Sequence, residues 1–114
     1  MEFSGQYLTY EEYRQLGGTL EQTPFNLLEY DARKEIDENT LGRLIKLEKQ
    51  VQEVKMCMWQ LINLQLSINN GVDISGNVIN YNEKEITKAK NKIIMRNLIN
   101  CRLENGTPYL YRGV

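Results

Sequence analysis

The chain has 114 residues, 41% of them hydrophobic and 25% charged, with a formal net charge of −1 and no histidine. That is room for one globular domain with its own core, and the balance lacks the basic footprint of a free nucleic-acid binder. Histidine-based catalysis is excluded, and no run approaches the roughly 20 apolar residues that span a bilayer. The start, MEFSGQYLTYEEY, has no basic region followed by an apolar core, so no signal peptide is expected.

Residues 1–6 carry no periodicity and read as a flexible arm. Thr9-Tyr10-Glu11-Glu12 is a capping box, with Leu8 placed to staple onto Tyr13. Gly17-Gly18 ends that helix two turns later. Thr23-Pro24 then predicts a second helix, threonine capping and proline at the first helical position. Its inner face is Phe25, Leu28, Ala32 and Ile36, and Asn39-Thr40-Leu41-Gly42 breaks it, with Gly42 as the reversal point.

The third helix organises the rest. Val51, Val54, Met58, Leu61 and Ile68 share one face, and Cys57, Trp59, Ile62, Leu64 and Leu66 widen it until most of the circumference is apolar. Such a helix has to be wrapped by its neighbours. Asn69-Asn70-Gly71 stops it. Val72, Ile74, Val78, Ile79 and Tyr81 flank Ser75-Gly76-Asn77, which predicts a small hairpin or structured loop over about 71–82. From Glu83 a last helix carries Ile86, Ala89, Ile93, Ile94, Leu98 and Cys101 and closes at Asn105-Gly106. The expected fold is mainly α: a small bundle of about four helices, a hairpin-like insertion before the last, and an extended C-terminal tail. The domain body is 7–106 and the tail 107–114. Its expected core includes Phe25, Leu28, Ile36, Val54, Met58, Leu61, Ile86 and Ile93.

Chemistry-bearing patterns are sparse. The carboxylates fall on helix surfaces or in a cap, and no glycine-rich phosphate loop with its lysine is present. No enzyme activity, metal or cofactor is expected. Cys57 and Cys101 lack CxxC spacing and read as small core residues in a reducing compartment, with a disulfide as the alternative.

Charge is unevenly placed. Residues 1–42 hold nine acidic and three basic side chains, net −6, whereas 43–114 hold six acidic and eleven basic, net +5. Lys84, Lys88, Lys92 and Arg96 are each four apart and form one stripe of like charge. It is open to three readings: a solvated face, a partner for an acidic surface such as the first 42 residues of a neighbouring copy, or a wall facing a nucleic-acid path. The tail concentrates Tyr109, Leu110, Tyr111 and Arg112, residue types that anchor interfaces. These four are the candidate docking contact, the alternative being that the tail folds back on its own core.

Several pieces in order bring a family into view. Tyr7-Leu8-Thr9-Tyr10-Glu11-Glu12-Tyr13, Leu16-Gly17-Gly18-Thr19, Phe25-Asn26 with Glu29 and Ala32-Arg33-Lys34 resemble the start of head–tail connector proteins of long-tailed phages. So do Ile36-Asp37, Thr40, Gly42-Arg43-Leu44, the run Val54-Lys55, Cys57-Met58, Leu61-Ile62, and the closing Leu110-Tyr111-Arg112-Gly113-Val114. The resemblance covers Tyr7 to the C-terminus. The arm precedes the family's usual start, Leu41 stands where an aromatic is expected, and the 72–81 insertion is less serine-rich.

The resemblance implies a head-completion (adaptor) protein of the virion neck, made in the bacterial cytoplasm. Its partners would be copies of itself in a closed ring on the order of twelve, the portal protein above, a downstream neck or tail-completion protein, and packaged DNA passing without sequence specificity. No membrane is implied. A reading from another class is a small cytosolic helical DNA-binding regulator, since short helices separated by Gly-Gly can mimic a helix-turn-helix. A helical protein-interaction module shares the same physical features.

Overall fold

Four helices carry the chain in the computed structural model, which describes residues 5–45, 47, 50–73 and 75–110. They are α1 (Tyr10–Gln15), α2 (Gln22–Thr40), α3 (Gln52–Asn70) and α4 (Glu83–Leu98), and the chain is mainly helical. α3 packs on both α2 and α4, and α1 rests on α2. Among the described residues no helix is long and apolar enough to cross a membrane.

α1 is built as its sequence dictates. The Thr9 hydroxyl accepts the Glu12 amide at 3.1 Å while Glu12 Oε1 accepts the Thr9 amide at 3.0 Å, satisfying two otherwise orphaned donors. Leu8 and Tyr13 are both buried in the same core cluster. Tyr13 then joins three helices, its ring 4.7 Å from Phe25 of α2 and 5.5 Å from Trp59 of α3. The Tyr10 hydroxyl donates to Leu20 O at 2.9 Å and the Tyr13 hydroxyl accepts Leu20 N–H at 3.2 Å. The two tyrosines thus satisfy both backbone groups of one residue in the α1–α2 connection.

α2 starts earlier than its threonine suggests. Glu21 is the N-cap, without a side-chain hydrogen bond, and Gln22 is the first helical residue. Pro24 consequently occupies the third helical position, still within the first turn where a missing N–H costs nothing. At the other end the reversal begins one residue before Gly42: Leu41 takes the left-handed conformation (φ 51°) and Gly42 follows it (φ 71°).

The core is Tyr7, Leu8, Tyr13, Phe25, Ala32, Ile36, Leu44, Val54, Cys57, Met58, Leu61, Ile62, Ile94, Leu98, Cys101, Tyr109 and Leu110. Leu28 and Ile93 pack on it half-buried. Ile86 does not belong to it: this half-buried side chain lies one turn into α4, and the core contacts of that helix come from Ile93, Ile94 and Leu98. The wrapping of α3 is likewise incomplete. Val54 to Ile62 supply its buried residues, but Leu64, Leu66 and Ile68 keep part of their surface in water, and Val51 is exposed.

The insertion after α3 is a stapled loop with one bridge among the described residues, Val72 to Val78. Asp73 Oδ1 accepts the amides of Ser75 and Asn77, both at 2.9 Å, and closes the turn, while Ile79 N–H donates to Gly71 O at 2.9 Å at its base. Val78, 84% exposed, stands clear of the body; Ile74 lies outside the described residues.

α4 also ends earlier than expected, at Leu98 rather than near Asn105-Gly106. Asn105-Gly106 instead reverses the chain in a second small turn, with Leu103 N–H on Thr107 O at 2.8 Å and a bridge from Arg102 to Pro108. This returns the tail to the core.

Candidate interaction surfaces

The tail is where the structure departs most from the sequence reading. Tyr109 and Leu110 are buried in the chain's own core, so neither is presented for docking. The Tyr109 amide donates to Cys101 O at 3.0 Å. Arg43 Nη1 reaches across from the segment after α2 and donates to Pro108 O at 3.0 Å and Leu110 O at 3.1 Å. A guanidinium bridging two carbonyls clamps an extended segment whose own backbone partners are few. Tyr111 and Arg112 lie outside the described residues.

The basic stripe is exposed along its length. Lys84, Lys88, Lys92 and Arg96 all face solvent, the stripe turning gradually around α4 as it runs along the helix. Among the described residues none of the four has an ion-pair partner. Lys90, on the edge towards α2, is different and meets Glu35 at 3.7 Å. Asn82 caps the helix by accepting the Glu85 amide at 2.8 Å, with Glu83 and Glu85 at the dipole's positive end and Arg96 near its negative end.

A second cluster escaped the sequence reading. Glu29 has no exposed surface, yet its Oε2 accepts the Tyr7 amide at 3.0 Å and its Oε1 lies 3.2 Å from the Arg33 guanidinium. The Tyr7 hydroxyl donates to Asp37 one turn further along α2. Burial pushes the Glu29 carboxyl up to about 7, against the pull of Arg33 and of the Tyr7 and Leu8 amides. Burial also raises Asp37, offset by the Tyr7 hydroxyl and Arg33, and lifts the Tyr7 phenol well above its ordinary range. The signal was present: Glu29 falls four after Phe25 and seven before Ile36, on the apolar face. A carboxylate sealed on every side has no path to a substrate; this cluster fastens the segment before α1 to α2.

Glu12, besides its cap, pairs with Lys55 of α3. Burial alone would raise the Glu12 carboxyl, but the bonds from Lys55 and Thr9 hold it below the usual range. The pair borders an open groove of about 500 Å³ that also takes in Thr9, Leu47 and Gln50. A second groove, about 310 Å³, has Tyr13 and Trp59 in its lining and Asn63, Ser67 and Asn70 around them. Cys57 and Cys101 are free, buried thiols; burial, with Cys101 adding in the same sense, pushes the Cys57 thiol up to about 12. Among the described residues no group of three or more His, Cys, Asp or Glu is placed to hold a metal ion.

Comparison with family models, with curated proteins and with solved structures returns no match.

Proposed function

We propose that this chain is a head–tail connector, a head-completion adaptor that assembles as a ring beneath the portal of a long-tailed phage. In that role it extends the DNA channel and presents a surface to the next neck or tail protein. The observation that carries the reading is the ordered resemblance from Tyr7 to the C-terminal Leu-Tyr-Arg-Gly-Val. Its dispersed pieces supply the contacts that hold one scaffold together. Tyr7 meets Glu29 and Asp37, Glu12 meets Lys55, Tyr13 packs over Gly18, and Arg43 clamps Pro108 and Leu110. A small, mainly helical subunit, with a cationic face that has no ion-pair partner among the described residues, is suited to repeated lateral contact. The docking surface is not Tyr109 or Leu110, which this fold buries.

The test is to mix purified chain with DNA-filled, portal-bearing capsids and average the portal vertex by electron microscopy. A ring of added density below the portal is expected. Capsids indistinguishable from untreated ones, with the chain left in the supernatant, overturn the reading. A gel shift with duplex DNA at low salt separates the regulator reading, which requires tight binding by the chain alone.

A further inference from the structure

We infer that the outward face of α4 seats the outward face of α2 from a second copy of this chain, joining copies head to tail. The setting rests on the ring-subunit reading; the choice of surfaces rests on geometry. On α4 the cations Lys84, Lys88, Lys92 and Arg96 recur about every 6 Å along the axis, unpaired among the described residues. Met95, 54% exposed, stands on the same side. On α2, Leu27, Asp31 and Glu38 follow one another at helical spacing, and Leu41 stands just past the helix end; all four are exposed. Asp31 and Glu38 make no side-chain hydrogen bond or ion pair among the described residues. Glu35, between them, spends its carboxylate on Lys90. Lys34, the one cation of this face, lies over the Tyr30 ring at 5.8 Å.

Both helices turn their buried sides into the same bundle, so their outward faces cannot meet within one molecule. Contact between them therefore joins two different surfaces on two copies, a heterologous arrangement that closes as a ring or runs on as a filament. The α4 face also carries Met95 and Glu85 among its cations. The exposed thioether suits a protein surface that offers leucine beside acids better than it suits a phosphate backbone.

The experiment is sedimentation velocity on the full chain at 50 and 500 mM salt, with K88E/K92E, D31K/E38K and an equimolar mixture of the two. All four positions are exposed, and helical circular dichroism checks that each variant folds. Association of the parent at low salt, weakened about tenfold at high salt, is expected. Each double reversal alone loses association. The mixture regains it, because each altered face then meets its complement. A parent that is monomeric at every concentration and salt, variants that associate like the parent, or a mixture that stays monomeric each overturn the inference. So does loss of duplex DNA binding in K88E/K92E with association unchanged, which assigns the face to nucleic acid. The ring-subunit reading fails on a separate result, absence from the portal vertex.

Discussion

At the scale of single residues, Gly18 shows how little freedom a turn can have. A Cβ built there lies 2.3 Å from the Tyr13 ring, a distance no side chain tolerates. Tyr13 cannot retreat, since its ring packs at a tilt against both Phe25 and Trp59. Gly18→Ala is expected to cost about 2–3 kcal/mol as an overpacking defect, lowering the melting temperature by roughly 10 °C or more for a domain of this size. A thermal melt followed at 222 nm reads it, and an unchanged midpoint contradicts the packing. Glu29 makes a prediction of a different kind. Its folded-state value of about 7 lies above the ordinary 4.5, so the unfolded chain gives up this proton first as pH rises. The favourable contribution is complete below about pH 4.5, declines between 4.5 and 7, and is gone above 7. This group alone should make the protein up to about 3 kcal/mol more stable at pH 5 than at pH 8. Urea unfolding at both pH values checks it: Glu29→Gln, which cannot ionise, should lose that difference while the parent keeps it.

At the scale of elements, what could be read from the sequence was what is decided locally. The capping box of α1, the Gly17-Gly18 stop and the αL Gly71 after α3 need only their neighbours, and the stripe Lys84 to Arg96 needs only the helical period. Where contacts between distant segments decide, the sequence was mute. Asn105-Gly106 serves equally as a helix stop or a chain-reversing turn. The turn prevails because Cys101 receives Tyr109 and because Arg43, more than sixty residues earlier, holds the returning strand. The same ignorance made Tyr109 and Leu110 look like docking residues and hid Glu29, whose amide partner is 22 residues upstream. Leu41 is a local exception, a leucine in a conformation that glycine or asparagine ordinarily occupies. Leu41→Asn should relieve about 1 kcal/mol of backbone strain. Because Leu41 is 58% exposed, little packing is lost in exchange. Chemical denaturation should show a higher midpoint with unchanged slope, and a lower midpoint would show that the side chain contributes more than the strain costs.

At the scale of the whole molecule, the chain's two ends of opposite charge are bound into one core by segments that lie outside the helices. Tyr7 and Leu8 enter it from before α1, Leu44 from between α2 and α3, and Cys101, Tyr109 and Leu110 from beyond α4. The tail is therefore a structural member, and removing residues 107–114 is first an assault on folding. Tyr109 and Leu110 are each buried to within a few per cent, and burying one such side chain contributes about 1.5–3 kcal/mol. The clamp from Arg43 would also vanish, leaving its guanidinium beside an opened core. A deletion ending at Gly106 should thus lose about 3–6 kcal/mol, much of the 5–15 kcal/mol that domains of this kind possess. The expected result is a broad melt with a midpoint lowered by tens of degrees, or none. A truncated chain melting cooperatively within a few degrees of the full one would mean that Tyr109 and Leu110 are dispensable to the core. Only then would loss of portal binding in the same deletion speak directly about docking.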